Sequence, residues 1–421
     1  MAIMQFNCIL VEISMYLSRT LEPIIQKASR QFPVVMVTGA RQVGKTTFLR
    51  HLAGKKRNYV TLDDPTLLAL AKEEPKLFLE RFKPPVLIDE IQYAPELLPH
   101  IKINVDNNRI AGQYWLTGSQ PFHLMRGVSE SLAGRVGILN LLGLSQWEIQ
   151  KLPNFDLPFL PGDKSIGKKL TKMEPASLEA VYKRIWYGSF PAIALNVNAD
   201  KDLFFSSYVQ TYLQRDVRDL AQVGNESSFL RFLKVTAART GQLLNLAGIA
   251  RDTDISPNTA KHWLSILQTS GIIYLLEPYH NNLNKRLIKT PKLYYIDTGL
   301  CSYLTRWSDY KTLEAGAMSG AILETFVVME ILKSYWHNGL QAPLYFYRDK
   351  DKKEIDLLIV KNQKIYPIEI KKTASPKREI LKDFKVLDSF KENVSNGAVV
   401  CLVDTLIPLD RYVDAVPITL I

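Results

Sequence analysis

The 421-residue chain is 47% hydrophobic and 23% charged, a globular composition too long for one core and suited to two or three domains. Its formal charge of +11 favours a polyanionic partner, although charge alone fits an ordinary basic enzyme equally well. The scattered Cys8, Cys301 and Cys401 lack metal-ligand spacing and point to a reducing, cytoplasmic setting, and no apolar run is long enough to span a bilayer, so no membrane partner is expected.

The first 14 residues, MAIMQFNCILVEIS, lack the basic start and small-residue cleavage site of a signal peptide. They read either as an extra strand or as residues ahead of the true start. A helical pattern begins at Met15.

Residues 32–52, FPVVMVTGARQVGKTTFLRHL, run from a β-branched strand through a glycine loop into an amphipathic helix. The loop fits G-x-x-x-x-G-K-[ST], whose backbone N–H groups turn inward onto phosphate oxygens. Gly39, Ala40, Arg41, Gln42, Val43, Gly44, Lys45, Thr46 and Thr47 are the expected ATP cradle. Lys45 brings a point charge to the β- and γ-phosphates, the Thr46 hydroxyl ligates Mg2+, and the helix aims its positive end at the same anion.

The next apolar runs are NYVTLDD (58–64), PPVLIDEIQ (84–92), QYWLTGS (113–119) and GILNLLGLS (137–145), with helical stretches between them. That is the rhythm of a parallel sheet covered on both faces. Acids at the tip of a Val-Leu-Ile strand are poorly explained by packing, so Asp89 is expected to hold Mg2+ and Glu90 to polarise the attacking water. Thr117 and Ser119 end the following strand, where a hydroxyl can reach the γ-phosphate or the water. Ser119 is preferred, against the alternative of a plain helix cap.

GARQVGKTT, TLDDP, LIDEIQ, LTGS and SLAGR, in this order, resemble the AAA+ superfamily, and within it the large bacterial and archaeal family of single-AAA+-domain ATPases. The resemblance covers the whole chain. It implies a sheet of order 5-1-4-3-2, a homo-oligomer with a hexamer among the candidates, and an active site completed by an arginine from a neighbouring subunit. Arg135 is the candidate finger, with Arg126 as its rival. Arg215 is either a sensor acting within its own subunit or a partner of Asp216 or Asp219.

Residues 150–176, rich in Pro, Gly and Lys, read as a linker, and helical periodicity resumes at Ser177. Residues 243–279 then give a helix (246–251), a turn at Asp254 and Ile255, a second helix (257–269) capped by Ser256 and Pro257, and a strand. This is a winged-helix pattern. Lys261 and His262 fall on the open face of its second helix, and Lys285, Arg286 and Lys289 on the wing, all as candidate DNA contacts made mainly to the backbone.

In EIDLLIVKNQKIYPIEIKK, residues 354–372, a two-residue loop at Asn362 and Gln363 places Asp356 opposite Glu369, with Lys371 on the same face. Facing acids repel unless a cation or proton lies between them, and Mg2+ or Mn2+ at Asp356 and Glu369 is the candidate second metal. The D-x12-E-x-K spacing resembles the PD-(D/E)XK nuclease core, and Glu324 matches that fold's extra helical acid.

The expected fold class is therefore α/β: a P-loop AAA+ core at 1–150, a linker and helical region at 151–235, a winged-helix domain at 236–312, and a small restriction-endonuclease-like α/β domain at 313–421. The expected function is ATP- and Mg2+-dependent action on DNA by remodelling, loading or gated cleavage. The alternative is an ATP-driven signalling or defence switch that assembles with a protein partner and keeps a non-catalytic nuclease-like scaffold.

Overall fold

β1 (Val34–Thr38), β2 (Asn58–Thr61), β3 (Val86–Asp89), β4 (Tyr114–Gly118) and β5 (Val136–Asn140) form one parallel sheet in the order β2-β3-β4-β1-β5. This is the expected order read from the opposite edge. The structure is a computed structural model that describes residues 16–118, 128, 130–196, 198–213, 226–279, 290–349, 351, 353–390 and 393–421. The first 14 residues, Ser119, Arg126, Arg215, Lys285, Arg286 and Lys289 lie outside them.

β1 is central because every residue of VVMVT is buried, and its two faces feed two cores. Val34 and Met36 pack with Val60, Ile88 and Leu116 on one side. Val35 and Val37 face a second core that continues through Trp147, Trp263 and Phe326 to the C-terminal sheet. Period-two alternation thus makes one strand the partition between a local core and a chain-wide one.

Two expected strands are shorter than their apolar runs. β2 stops at Thr61 because Asp64 caps the helix Pro65–Glu73, accepting the N–H groups of Thr66 and Leu67. β5 stops at Asn140 because the chain turns inward through Leu141 and Leu142. Ser145 and Glu148 then cap the helix Gln146–Ile149 reciprocally.

The stretch expected as a linker is anchored. Asp163 caps a helix, Lys164–Leu170, and the buried Lys169 ammonium donates to Leu157 O at 3.1 Å and Leu420 O at 3.3 Å. A lysine hydrogen-bonded between two distant backbone segments is a fastening that composition does not reveal.

Past helices Leu178–Tyr187 and Lys201–Tyr208, the middle region comprises helices Glu226–Ala237, Leu246–Thr253 and Pro257–Thr269 with a small antiparallel sheet. That sheet joins β6 (Gln242–Leu243), β7 (Ile273–Leu276) and β8 (Lys292–Tyr295) in the order β6-β8-β7. The second of the expected helices has the predicted bounds: Ser256 accepts the Thr259 N–H, Pro257 fills the first turn, and Asp254 makes the left-handed turn before it at φ 56°. β8 ends at Asp297, which caps the helix Thr298–Leu304.

The C-terminal region packs the buried helix Ser319–Trp336 against a six-stranded mixed sheet. Its strands are β9 (Leu344–Arg348), β10 (Glu354–Lys361), β11 (Lys364–Ile370), β12 (Gly397–Cys401), β13 (Ile407–Pro408) and β14 (Val413–Pro417), in the order β13-β14-β12-β11-β10-β9. β9, β10 and β11 run antiparallel, and β12 joins β11 in parallel. The β10–β11 loop is Asn362-Gln363 at φ 51° and 64°, and Leu358 faces Pro367 in the expected register. Among the described residues no helix is long and apolar enough to cross a membrane.

Candidate nucleotide site and C-terminal acid cluster

The glycine loop leaves β1 at the edge of the sheet where β3 and β4 also end. Gly39 is required there by contact as well as by conformation: a Cβ would lie 2.1 Å from Leu141 O. Gly44, at φ 95°, opens the helix Lys45–Ala53 without a capping side chain, so that first-turn amides stay available to an anion. The Lys45 side chain is buried, and its ammonium turns back onto Gly39 O at 3.0 Å and Ala40 O at 2.8 Å. Both are neutral acceptors, which a phosphate oxygen outbids by charge.

Opposite the loop, Asp89 gathers three hydroxyls. Thr46 donates at 2.9 Å, Tyr59 at 3.1 Å, and Thr117 donates to the other carboxylate oxygen. Burial pushes the Asp89 carboxyl above its usual range, while the bonds from Thr117 and Thr46 pull it back. A hydroxyl and a carboxylate in direct contact are hard oxygen ligands of the kind Mg2+ takes, so the residues present fit that ion beside the loop.

Glu90 follows in a left-handed turn at φ 57° and gives its N–H to Thr117 Oγ1 at 3.0 Å, while Gln92 donates to its carboxylate. Thr117 therefore aligns both acids. Sequence reasoning ranked it behind Ser119. Its signal was a polar residue in the penultimate position of an apolar strand.

Arg135 stands at the start of β5, the opposite edge of the sheet from its own loop. It grips Asp106 with two nitrogens, at 2.6 and 3.0 Å.

Arg19, which no motif marked, braces the loop from beneath. Its guanidinium donates to Val43 O at 3.1 Å and Leu142 O at 2.8 Å, and it pairs with buried Glu148 at 3.0 Å. Glu148, Asp156 and His337 are the tightest grouping of metal-type ligands among the described residues. Yet His337 Nε2 accepts the Leu142 N–H at 3.3 Å, which puts the neutral ring's proton on Nδ1, facing Glu148 at 3.6 Å and Asp156 at 3.7 Å. The histidine lone pair is used, and Arg19 already supplies the cation. This is a structural ion cluster between the ATPase loop and the C-terminal helix.

The second expected site assembles too. Lys371 Nζ lies 2.5 Å from Glu369 Oε1 and 3.7 Å from Asp356, whose carboxylate also takes the Ile370 N–H at 2.8 Å. Glu369 is buried, and its Oε2 has no hydrogen-bond partner. Burial first, and then Asp356, push its carboxyl up to about 8. Glu324 is close enough for Asp356 to add to the rise that burial causes in its own pKa.

Sequence reasoning missed the cations around these acids. Lys292, which opens β8, reaches Glu354 at 2.5 Å and Glu324 at 2.9 Å, and Tyr294 donates to the same Glu324 oxygen at 2.5 Å. Arg348 holds the other Glu354 oxygen at 2.9 Å. A lysine heading an apolar strand was the available signal. At the far end of β8, Ile296 and Asp297 line a cleft shared with Ala40 and Val43 of the glycine loop.

Of the candidate nucleic-acid residues, Lys261 and His262 are exposed on the helix Pro257–Thr269, as expected.

Comparison with known proteins matches an AAA domain at residues 31–150, and domains of unknown function DUF8612 at 178–311 and DUF4143 at 319–421. The uncharacterized proteins Rv2008c of Mycobacterium tuberculosis and Mb2031c of Mycobacterium bovis are each 30% identical over 379 residues, covering 88% of this chain and 76% of theirs. Likeness to solved structures is weaker. The Walker-type ATPase PABY2304 of Pyrococcus abyssi is 14% identical, over 69% of this chain and 96% of that one, with a TM-score of 0.44. The Thermotoga maritima RuvB Holliday junction branch migration motor is 17% identical, over 60% and 86%, with a TM-score of 0.28.

Proposed function

Because the chain belongs to the family of these mycobacterial proteins and carries a P-loop AAA-type ATPase domain, we propose that it hydrolyses ATP at the loop of residues 39–47 and uses the energy on DNA. The observation that carries the ATPase part is the chain of contacts from Thr46 through Asp89 and Thr117 to Glu90 beside that loop. Lys45 and the first-turn amides bind and orient the β- and γ-phosphates. Bound Mg2+ offsets charge on the phosphoryl oxygens. Thr46 and Asp89 hold the ion, Glu90 orients the water, and Thr117 fixes the angle between the two acids. Arg135 reaches the γ-phosphate of a neighbouring subunit in an oligomer. Its place away from its own loop suits that role.

The net charge of +11 and the exposed Lys261 and His262 support a DNA backbone as the partner. The middle region's three helices and β6-β8-β7 sheet support the winged-helix reading. The helix followed by three antiparallel strands and a parallel one supports the nuclease-like reading of the C-terminal region. The test is ATPase rate over duplex, single-stranded and junction DNA. Stimulation by at least one is expected, Lys45→Ala is expected to be inactive, and an equal rate on all three and on none removes DNA from the reading.

One observation favours the second reading, a switch built on a non-cutting scaffold. Lys292, Arg348 and Lys371, all protein cations, are already paired with the acids of the C-terminal cluster. Under that reading ATPase rate ignores DNA, and partner binding resists salt.

A further inference from the structure

Lys292 belongs to the middle region, but its charge is lodged in the C-terminal one. It is 2% exposed, and its ammonium lies between Glu354 on β10 and Glu324 on the helix Ser319–Trp336, 5.6 Å from the centre of the Phe346 ring. Burial alone would discharge it, but Glu324, Glu354 and Asp356 outweigh burial and hold it protonated. The neighbourhood then has four acids (Glu324, Glu354, Asp356 and Glu369) against three bases, Lys292, Arg348 and Lys371. Without Lys292 the imbalance doubles.

The acids are arranged around the ammonium. Glu324 directs one oxygen at Lys292 and Tyr294 together. Among the described residues, the acids of this cluster do not converge to ligand spacing as Glu148, Asp156 and His337 do. A second, independent feature shows that the cluster retains capacity for a cation: the buried Glu369 Oε2 lacks any hydrogen-bond partner, while Oε1 is taken by Lys371. A buried carboxylate oxygen is ordinarily satisfied.

We infer that Lys292 is the resident cation of this cluster, and that a divalent ion binds Asp356 and Glu369 only when Lys292 is withdrawn or replaced. The protein's own amine occupies the electrostatic position that a metal would need. The cluster as it stands is a clasp between two regions, and a metal centre in reserve. The inference rests on the pairing of Asp356 with Glu369 in the proposed function, and on nothing said there of hydrolysis or DNA.

The test is Mn2+ uptake by the full chain without nucleotide, read from the EPR signal of free Mn2+. Lys292→Gln is expected to gain one site at least about tenfold tighter than any in the wild type, a gain of about 1.4 kcal/mol. Adding Glu369→Gln should remove that site, and Lys292→Arg, which keeps the charge, should stay like the wild type. A folded Lys292→Gln chain with unchanged uptake overturns the inference. So does a wild-type site that Glu369→Gln abolishes. Should Lys292→Gln not fold, Glu354→Gln releases one of the two anchors of Lys292 and leaves Asp356 and Glu369 intact. It should gain uptake as well, and no gain there overturns the inference equally. ATPase rates on DNA, measured on the same samples, report separately on the proposed function.

Discussion

Replacing Glu148 by Gln removes the negative charge beneath the glycine loop and leaves Arg19 buried, at 4% exposure, without its direct counter-ion. Glu148 is fully buried, and burial alone would raise its carboxyl. The Arg19 guanidinium and His337, with bonds from Arg19 and the Ser145 amide, reverse that and lower it from 4.5 to about 2. A depression of about 2.5 units corresponds to about 3.4 kcal/mol of folded-state stability, in line with the roughly 3–5 kcal/mol typical of breaking a buried pair. The folded pKa lies below the unfolded one, so this contribution is complete above about pH 4.5 and is lost as pH falls towards 2. By pH 3 about 1.4 kcal/mol should remain. The assay is the thermal midpoint of wild type and Glu148→Gln at pH 7 and at pH 3. The variant should melt roughly 5–10 °C lower at pH 7, with the gap at least halved at pH 3. Nucleotide titration should show weaker ATP binding, because Arg19 carries Val43 of the loop. A variant within about 1 kcal/mol of the wild type at pH 7, or a gap indifferent to pH, refutes the ion-pair account.

Thr117→Val keeps the shape of β4 but strands the Glu90 N–H and one Asp89 oxygen, so turnover should fall at least about tenfold with ATP binding retained. An unchanged kcat would show that Thr117 is packing alone. Arg135→Ala should be inactive by itself, yet regain turnover when mixed with Lys45→Ala chains, which lend it an intact arginine. No recovery on mixing argues against a shared site. Gln363→Gly should raise stability by about 0.5–1 kcal/mol, because the residue sits at φ 64°, where a side chain is strained, and a lower melting point would contradict the loop geometry.

Features legible in the sequence are those written in neighbouring residues. The glycine loop, the DE pair on β3, the capped helix at 257–269 and the β10–β11 register each depend on positions a few residues apart. Backbone periodicity and cap chemistry act at that range. Arg19, Thr117, Lys169 and Lys292 eluded prediction because their roles are set by partners far along the chain. Arg19 meets Leu142 and Glu148, and Lys292 meets Glu324 and Glu354. A lone basic residue carries no periodic signature, and its burial follows from how whole regions dock. The same holds for the supposed linker, whose composition was loop-like while a single lysine fastened it.

β8 has one end in the acid cluster and the other on the wall of the nucleotide cleft, about 13 Å apart for four residues of extended chain. Binding free energies are reciprocal. Whatever ATP does to the hold on Lys292, a change at Lys292 must do to the affinity for ATP, by the same factor. Measuring nucleotide affinity in Glu354→Gln, a substitution that touches no part of the loop, therefore weighs how strongly the two ends of this strand communicate.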